Sequence, residues 1–373
     1  MKVLHILFSK GWGGLERYAI TTAVSMSKRG HEIYFLHRAG TQTARELIEM
    51  KIEGVGLSPV KYLDLRAMST IRRIVKHQNI DIIHAHHSAD LGLIVPALMG
   101  LSHVRLIFAN YMLVPGPKDD WYHRMEYKRV ECIISGAESM RQNSAEFLPI
   151  DLERIIHIPY GIDLEKFDSK KVEGVLRNKF SIDVRIPLIG IIGRLDPHKG
   201  QDQMIRAMPM ILNHYPKAVL ALIGDESPEF EGRYKIKLES LAKQMKVSNS
   251  VLFTGGTTDT PSHLVDLDVY VLATRRESFS LGCLEAMAME KAVIGTDSGG
   301  TAEMLDHGDC GLLVAPDDPG SMCESVLKLL DNKSLAESLA KRGSEKVRAY
   351  FDKEKSMNTI SQIYNEGLLA ILT

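Results

Sequence analysis

What most constrains this chain is an alternation, kept up over almost its whole length, of short apolar runs with longer stretches of helical periodicity. A strand of parallel sheet buried on both faces reads as a near-continuous run of Val, Ile and Leu, and its parallel neighbour is reached through a crossover, most simply a helix. In the first half such runs fall at residues 3–8, 33–36, 80–84, 105–109, 132–135 and 155–158. Helical stretches separate them, as at 15–28, where Leu15, Ala19, Ala23 and Met26 share a face. A turn at 159–163 and a polar, Lys-rich stretch to 185 interrupt the pattern, which resumes at 188–192, 219–223, 251–253, 269–272, 293–296 and 312–314. The fold class expected is α/β, with two doubly wound, Rossmann-like domains of parallel sheet. Two further helices, 334–350 and 355–372, close the chain, the last with Ile360, Ile363, Tyr364 and Leu368 at helical spacing.

Composition narrows the function classes. The 373 residues suit two cores rather than one, and 45% hydrophobic with 25% charged residues is globular usage. A formal net charge of −1 supplies no basic field, which disfavours nucleic acid as a partner. Cys132, Cys283, Cys310 and Cys323 show no C-x-x-C spacing and read as reduced, buried thiols of a cytoplasmic protein. Residues 1–8 run straight into a Gly turn, so they read as a first strand rather than a signal segment. No run of eighteen uncharged apolar residues exists, and no membrane span is expected.

Ligands of open parallel sheets bind outside the carboxyl ends of the strands, and two such sheets facing one another would form a cleft. The segment Glu277-Ser278-Phe279-Ser280-Leu281-Gly282-Cys283-Leu284-Glu285, preceded by Arg276, looks like a strand-exit loop opening a helix. Carboxylates accept hydrogen bonds from the vicinal hydroxyls of sugars, and helical rise puts these two roughly 10 Å apart along one side. That is about the span from hexose to ribose in a nucleotide sugar. Amides at the helix start, from Phe279 through Ser280 and Leu281, would face the diphosphate between them. Glu285 is hard to read as a plain surface carboxylate, because it stands among the apolar residues 282–289 and needs a polar partner.

The segment resembles the E-x7-E motif of the retaining GT-B glycosyltransferases of family 4, the group 1 glycosyl transferases. Gly11-Trp12-Gly13-Gly14-Leu15-Glu16, Pro159-Tyr160-Gly161-Ile162-Asp163, Gly193-Arg194-Leu195-Asp196-Pro197-His198-Lys199-Gly200 and Asp297-Ser298-Gly299-Gly300-Thr301-Ala302-Glu303 follow the family's order, so the resemblance covers essentially the whole chain. It implies a GT-B fold with an acceptor-side domain at 1–165, a nucleotide-sugar-binding domain at 166–352 and a helix at 353–373 returning to the first domain. It also implies contact of Glu277 with the donor sugar and of Glu285 with the ribose.

Cleaving a sugar–phosphate bond develops negative charge on the departing diphosphate, which calls for fixed cations. Arg194 and Lys199, after the run 188–192, are placed to supply them; the plainer reading is a solvated loop. With these two cations no metal is required, and no cofactor is expected. Asp266-Leu267-Asp268 has D-x-D spacing but precedes the run 269–272, which suits a strand entrance better than a metal site. Gly13 and Gly14 could let backbone approach the diphosphate and acceptor, against a plain tight turn. Gly224 and Asp225, with Gly255, end second-domain runs and border base and ribose in this reading. His84, His86 and His87 permit a metal-site hypothesis but lack nearby acidic ligands. Family members commonly carry a histidine near the donor sugar after the fourth strand; the matching stretch here holds Asn110, which cannot take a proton. His86 and Asn110 are the acceptor-side candidates, and the departing phosphate is the base the resemblance implies.

The function expected is transfer of a hexose from a nucleoside-diphosphate sugar, UDP favoured over GDP, to a hydroxyl of a cell-envelope or exopolysaccharide glycan or a lipid-linked acceptor. A non-catalytic nucleotide-sugar-binding protein is the alternative from another class; an epimerase lacks the E-x7-E arrangement. Residues 118–129 mix aromatics with basic groups, with Trp121, Met125 and Lys128 on one side. Together with Lys61, Arg66, Arg72, Arg73 and Lys76 they make peripheral contact with an anionic membrane a candidate, although aromatics packed inward with solvated charges is the simpler expectation.

Overall fold

A computed structural model of the protein describes residues 1–60, 64–226, 230–275 and 277–368; Lys61, Arg276 and the final residues of the expected last helix lie outside them. The chain forms two compact units, one made of Met1–Tyr160 with the last helix from Glu354 on, the other of Gly161–Lys353.

The first unit holds a parallel sheet of seven strands: β1 (Lys2–Leu7), β2 (Glu32–Arg38), β3 (Glu53–Leu57), β4 (Ile82–Ala85), β5 (Arg105–Asn110), β6 (Cys132–Ser135) and β7 (Ile155–His157), in the order β3-β2-β1-β4-β5-β6-β7. The second holds six: β8 (Leu188–Ile192), β9 (Val219–Ile223), β10 (Val251–Gly255), β11 (Val269–Leu272), β12 (Ala292–Thr296) and β13 (Leu312–Val314), in the order β10-β9-β8-β11-β12-β13. Both are doubly wound, with the chain reversing direction across the sheet beside β1 and β8.

Burial on both faces explains why the strands read as unbroken apolar runs. Ile189, Ile191, Leu220, Leu222, Val269 and Val271 enter one core of the second unit, while their neighbours Leu188, Ala221, Ile223, Tyr270 and Leu272 enter the core on the opposite face. Six strands are expected in the first half and seven are present. The additional one, β3, is a Glu-Gly-Val-Gly-Leu edge strand whose residues are largely exposed, so it carries no apolar run to be recognised by.

The last helix, Lys353–Glu366, packs on the first sheet rather than on the unit that precedes it. Its buried Tyr364 hydroxyl is hydrogen-bonded to His84 Nδ1 (2.5 Å), and Arg105 of β5 donates to the carbonyls of Ile363 and Tyr364 at 2.7 Å each, satisfying acceptors at the helix end. Gly367, at φ +86°, ends the helix. All four cysteines are buried and free. Among the described residues no helix is long and apolar enough to cross a membrane.

Candidate active site

In the second unit the reversal of strand order falls between β8 and β11, so the loops that follow them border the crevice where such sheets bind ligands. Lys199, from the loop after β8, places its Nζ 2.7 Å from Oε2 of Glu277, from the loop after β11. The carboxylate is 9% exposed, and Thr274 Oγ1 approaches the same oxygen at 3.4 Å. An ammonium has three donors, so this pairing leaves Lys199 able to bind another anion. Arg194 stands in the same loop, exposed and without an ion pair among the described residues. Backbone hydrogen bonds of 2.9 Å lace the loops at these strand ends together: Gly193 to Ile223, Leu195 to Asp225 and Gly224 to Gly255. Asp225 accepts from the Gly256 amide through Oδ1 at 2.9 Å.

The two loops are strapped by Arg275. Its amide donates to the His198 carbonyl (2.9 Å), and its guanidinium reaches the Pro197 carbonyl, both oxygens of Asp202 (3.0 and 2.9 Å) and Asp317 (2.7 Å). The Asp202 hydrogen bonds raise its pKa further above the ordinary arginine value. Gly200, at φ +68°, lies against β11's exit so closely that an added Cβ would come 1.9 Å from the Ala273 carbonyl oxygen. Nothing in an R-x4-K pattern announces Arg275; its role emerges only when the two loops are brought together.

The helix Leu281–Ala288 begins where the sequence suggests. Ser280 is its N-cap, accepting from the Cys283 amide (3.3 Å), and the following first-turn N–H groups form the positive end of the helix. Phe279 and Leu281 are partly buried beside it. Glu285 is 4% exposed, within a helix whose neighbours Cys283, Leu284, Ala286 and Met287 are core residues. Beneath this helix lies the buried Tyr270 hydroxyl, whose pKa is raised by burial and then by Cys283, Glu285 and Glu277. Burial pushes the Cys283 thiol up to about 12, which makes it inert at neutral pH. The segment 297–303 supports the loop from the other side: Gly300 N–H donates to the Glu277 carbonyl at 3.1 Å, and Ser298 Oγ to the Arg275 carbonyl at 3.1 Å.

In the first unit Gly13 caps the helix Gly14–Lys28, and Ser9 Oγ donates to Glu16 Oε1 at 2.5 Å, holding that buried carboxylate beside the exit of β1. Asp90, after β4, accepts from the Phe8 amide at 3.0 Å, and burial raises its pKa to about 7. Asn110 is buried, donating to Ser144 Oγ (2.9 Å) and accepting the Tyr160 hydroxyl on its carbonyl (3.2 Å). His86 is 1% exposed, hydrogen-bonded to His5 Nδ1 and to the Tyr111 hydroxyl at 2.8 Å each.

His84 and His86 share a face, as strand alternation predicts, and the cluster gains one member from another strand. His5 of β1, paired in register with His84 of β4, joins His84 and His86, while His87 points away toward Asp90 at 3.9 Å. The two ring nitrogens linking His5 and His86 are engaged with each other, and the rings of His84 and His86 stack with centroids 4.4 Å apart. This is a hydrogen-bonded core of neutral imidazoles. Burial holds all three well below the ordinary histidine pKa, with His84 at about 3.

Asp266 and Asp268 serve backbone geometry. Asp266 Oδ2 accepts from the amides of Leu176 and Arg177 (2.7 and 3.1 Å), and Asp268 Oδ2 from the Leu188 amide (2.7 Å) and Arg177 (2.9 Å), all at the amino ends of the strands. Residues 118–129 follow the simpler expectation only in part: in the helix Trp121–Arg129 Tyr127 packs inward and Arg124 and Lys128 are exposed, whereas Glu126 is buried, Trp121 is 77% exposed and Met125 44%. Asp120 caps that helix, accepting from the Tyr122 and His123 amides at 3.0 and 3.2 Å.

Residues 173–346 match the family model for glycosyl transferases group 1, and residues 12–166 that for Glycosyltransferase Family 4. N-acetyl-alpha-D-glucosaminyl L-malate synthase of Bacillus anthracis is 24% identical over 356 residues, covering 92% of this chain and 91% of that protein. The GDP-mannose-dependent alpha-(1-6)-phosphatidylinositol monomannoside mannosyltransferase of Mycobacterium tuberculosis is 27% identical over 295 residues, covering 75% and 74%. Among solved structures, Anabaena Alr3699/HepE in complex with UDP and glucose superposes with a TM-score of 0.82 at 19% identity, over 98% of this chain and 100% of that one.

Proposed function

The chain belongs to the retaining GT-B glycosyltransferases of family 4, and from that premise we propose that it moves a hexose from a UDP-sugar to an acceptor hydroxyl with retention of configuration. The observation that carries this reading is the Lys199–Glu277 pair at 2.7 Å, set at the β8/β11 strand ends and beside the amino end of the helix Leu281–Ala288. A carboxylate for sugar hydroxyls, a cation and a helix N-terminus for phosphate thus meet in one unit. Glu285, further along that helix, takes the ribose, and Gly224 and Asp225 border the nucleoside. HepE was solved with UDP and glucose, which supports UDP; the name of the mycobacterial relative keeps GDP-mannose as the competing donor.

In the proposed step the bond from the anomeric carbon to the diphosphate oxygen breaks, and charge grows on the leaving phosphate. Lys199 and Arg194 stabilise that charge, so no divalent ion is needed for the role. The acceptor oxygen bonds to the anomeric carbon on the face just vacated, and its proton passes to the departing phosphate oxygen. Asn110, occupied by Ser144, has no part in that transfer. The acceptor belongs at the strand ends of the first unit, near Glu16 and Asp90, with Gly13 and Gly14 bringing backbone close. A glycan or lipid-linked acceptor is favoured by the phosphatidylinositol monomannoside in the mycobacterial relative's name, and exposed Trp121 and Met125 beside Arg124 and Lys128 suit contact with anionic headgroups.

Proton NMR of the sugar released from UDP-α-hexoses and GDP-α-mannose tests the reading. The α-anomer appearing first is expected; the β-anomer first, or turnover of none of these donors, would overturn it.

A further inference from the structure

The second unit contains a cavity, lined by both apolar and charged side chains, that the donor site does not use. It occupies about 480 Å³ between the helices Gln201–His214 and Arg233–Gln244, with Pro197, His198 and Arg275 along one side. That volume is in the range of small-molecule sites. Among the described residues that line it the only carboxylate is Asp202, whose two oxygens are held by Arg275 at 3.0 and 2.9 Å. Two further cations, Arg206 and Lys237, line it without ion pairs among the described residues, so the cavity carries uncompensated positive charge. Deeper in it lies the Tyr234 hydroxyl. Tyr234 is 5% exposed, and among the described residues its hydroxyl makes no hydrogen bond of good geometry, with the Asp202 carboxylate the nearby acceptor that helps raise its pKa after burial has done so. A buried hydroxyl without a partner costs stability unless something else satisfies it.

We propose that this cavity binds a phosphorylated sugar or polyol, with Arg206 and Lys237 holding the phosphate monoester and Tyr234, Ser240 and Gln244 meeting its hydroxyls. Phosphate favours a guanidinium fork and an ammonium together, and the volume of about 480 Å³ is that of a small ligand. The site is separate from the donor groups: it lies against Pro197 and His198, the residues just before Lys199, and against Arg275, which straps the donor loops. Its assignment does not depend on the proposed transfer reaction.

The test is calorimetric titration of the full chain with glucose 6-phosphate, and in parallel with inorganic phosphate, each with and without saturating UDP. One saturable glucose 6-phosphate site is expected, present with UDP bound, at least tenfold tighter than inorganic phosphate. It should weaken at least tenfold in the surface double variant Arg206→Ala/Lys237→Ala and severalfold in Tyr234→Phe, with circular dichroism confirming that both fold. Absence of binding, affinity equal to that of inorganic phosphate, displacement by UDP, or binding untouched by the double variant would each overturn the proposal.

Discussion

Gly299 stands directly over Glu277: a Cβ added to this glycine would come 1.7 Å from the Glu277 carbonyl oxygen, and its φ of +57° is one that side chains resist. The neighbouring Gly300 amide donates to that same carbonyl at 3.1 Å. The position of Glu277 is therefore set by the 297–303 turn as much as by its own loop. Gly299→Ala is expected to push the Glu277 loop outward and cut kcat/KM by at least about tenfold, since misplacement of about 1 Å can cost far more. Steady-state kinetics on a variant with unchanged far-UV dichroism would show it; wild-type kinetics would mean the turn does not position Glu277.

Glu277→Gln separates an enzyme from a binding protein. It removes the charge paired with Lys199 while keeping the shape, so turnover should fall by about 10²–10³-fold, the usual size of losing one group that stabilises developing charge. Affinity for the nucleoside diphosphate should change only a few-fold, because the diphosphate is assigned to Lys199, Arg194 and the helix amides. Retained affinity in a wild type that turns over no donor would favour the binding-protein reading.

Arg275 acts through the loops it joins, so its loss should appear in donor KM more than in kcat. Arg275→Ala is predicted to raise donor KM about tenfold. Arg275→Lys should restore little, because one ammonium cannot reproduce the forked contacts to Asp202, Asp317 and the Pro197 carbonyl. Full rescue by lysine would show that charge alone suffices.

The buried histidines link stability to pH. His5, His84 and His86 have lowered pKa values in the folded state, so below about 6.5 the unfolded chain binds three protons that the folded chain refuses. Their contribution is complete above that value and is lost as pH falls toward the folded values. Asp90, raised to about 7, works in the opposite sense and offsets one proton between pH 6.5 and its unfolded value. The histidines outnumber Asp90, so the net effect is a loss of stability as pH falls below 6.5. Urea titrations at pH 7.5, 6 and 5 should show the midpoint falling steeply between the last two; a flat midpoint would contradict neutral burial of the cluster.

Legibility in the sequence followed burial and local order. Strands such as Leu188–Ile192 and Val269–Leu272 are read to the residue because both faces are apolar, whereas exposed β3, with two glycines in five residues, has no pattern to read. Ser280 and the start of its helix are local features and are visible in the chain itself. The Arg275 strap, the Gly299 contact with Glu277 and the partnership of His5 with His84 and His86 join residues far apart in sequence, and only the strand order brings them together. Trp121 misleads because an aromatic side chain usually pays its way by packing, and here it faces outward.

The most direct measurement is calorimetric titration of UDP, GDP and ADP into the purified protein without added metal, beside Arg194→Ala and Lys199→Ala. Saturable binding to one nucleotide, weakened at least tenfold in each variant, is the predicted result. Absence of binding to all three by a folded sample, or equal binding by wild type and both variants, would contradict the assignment of the β8 and β11 strand ends as the donor site.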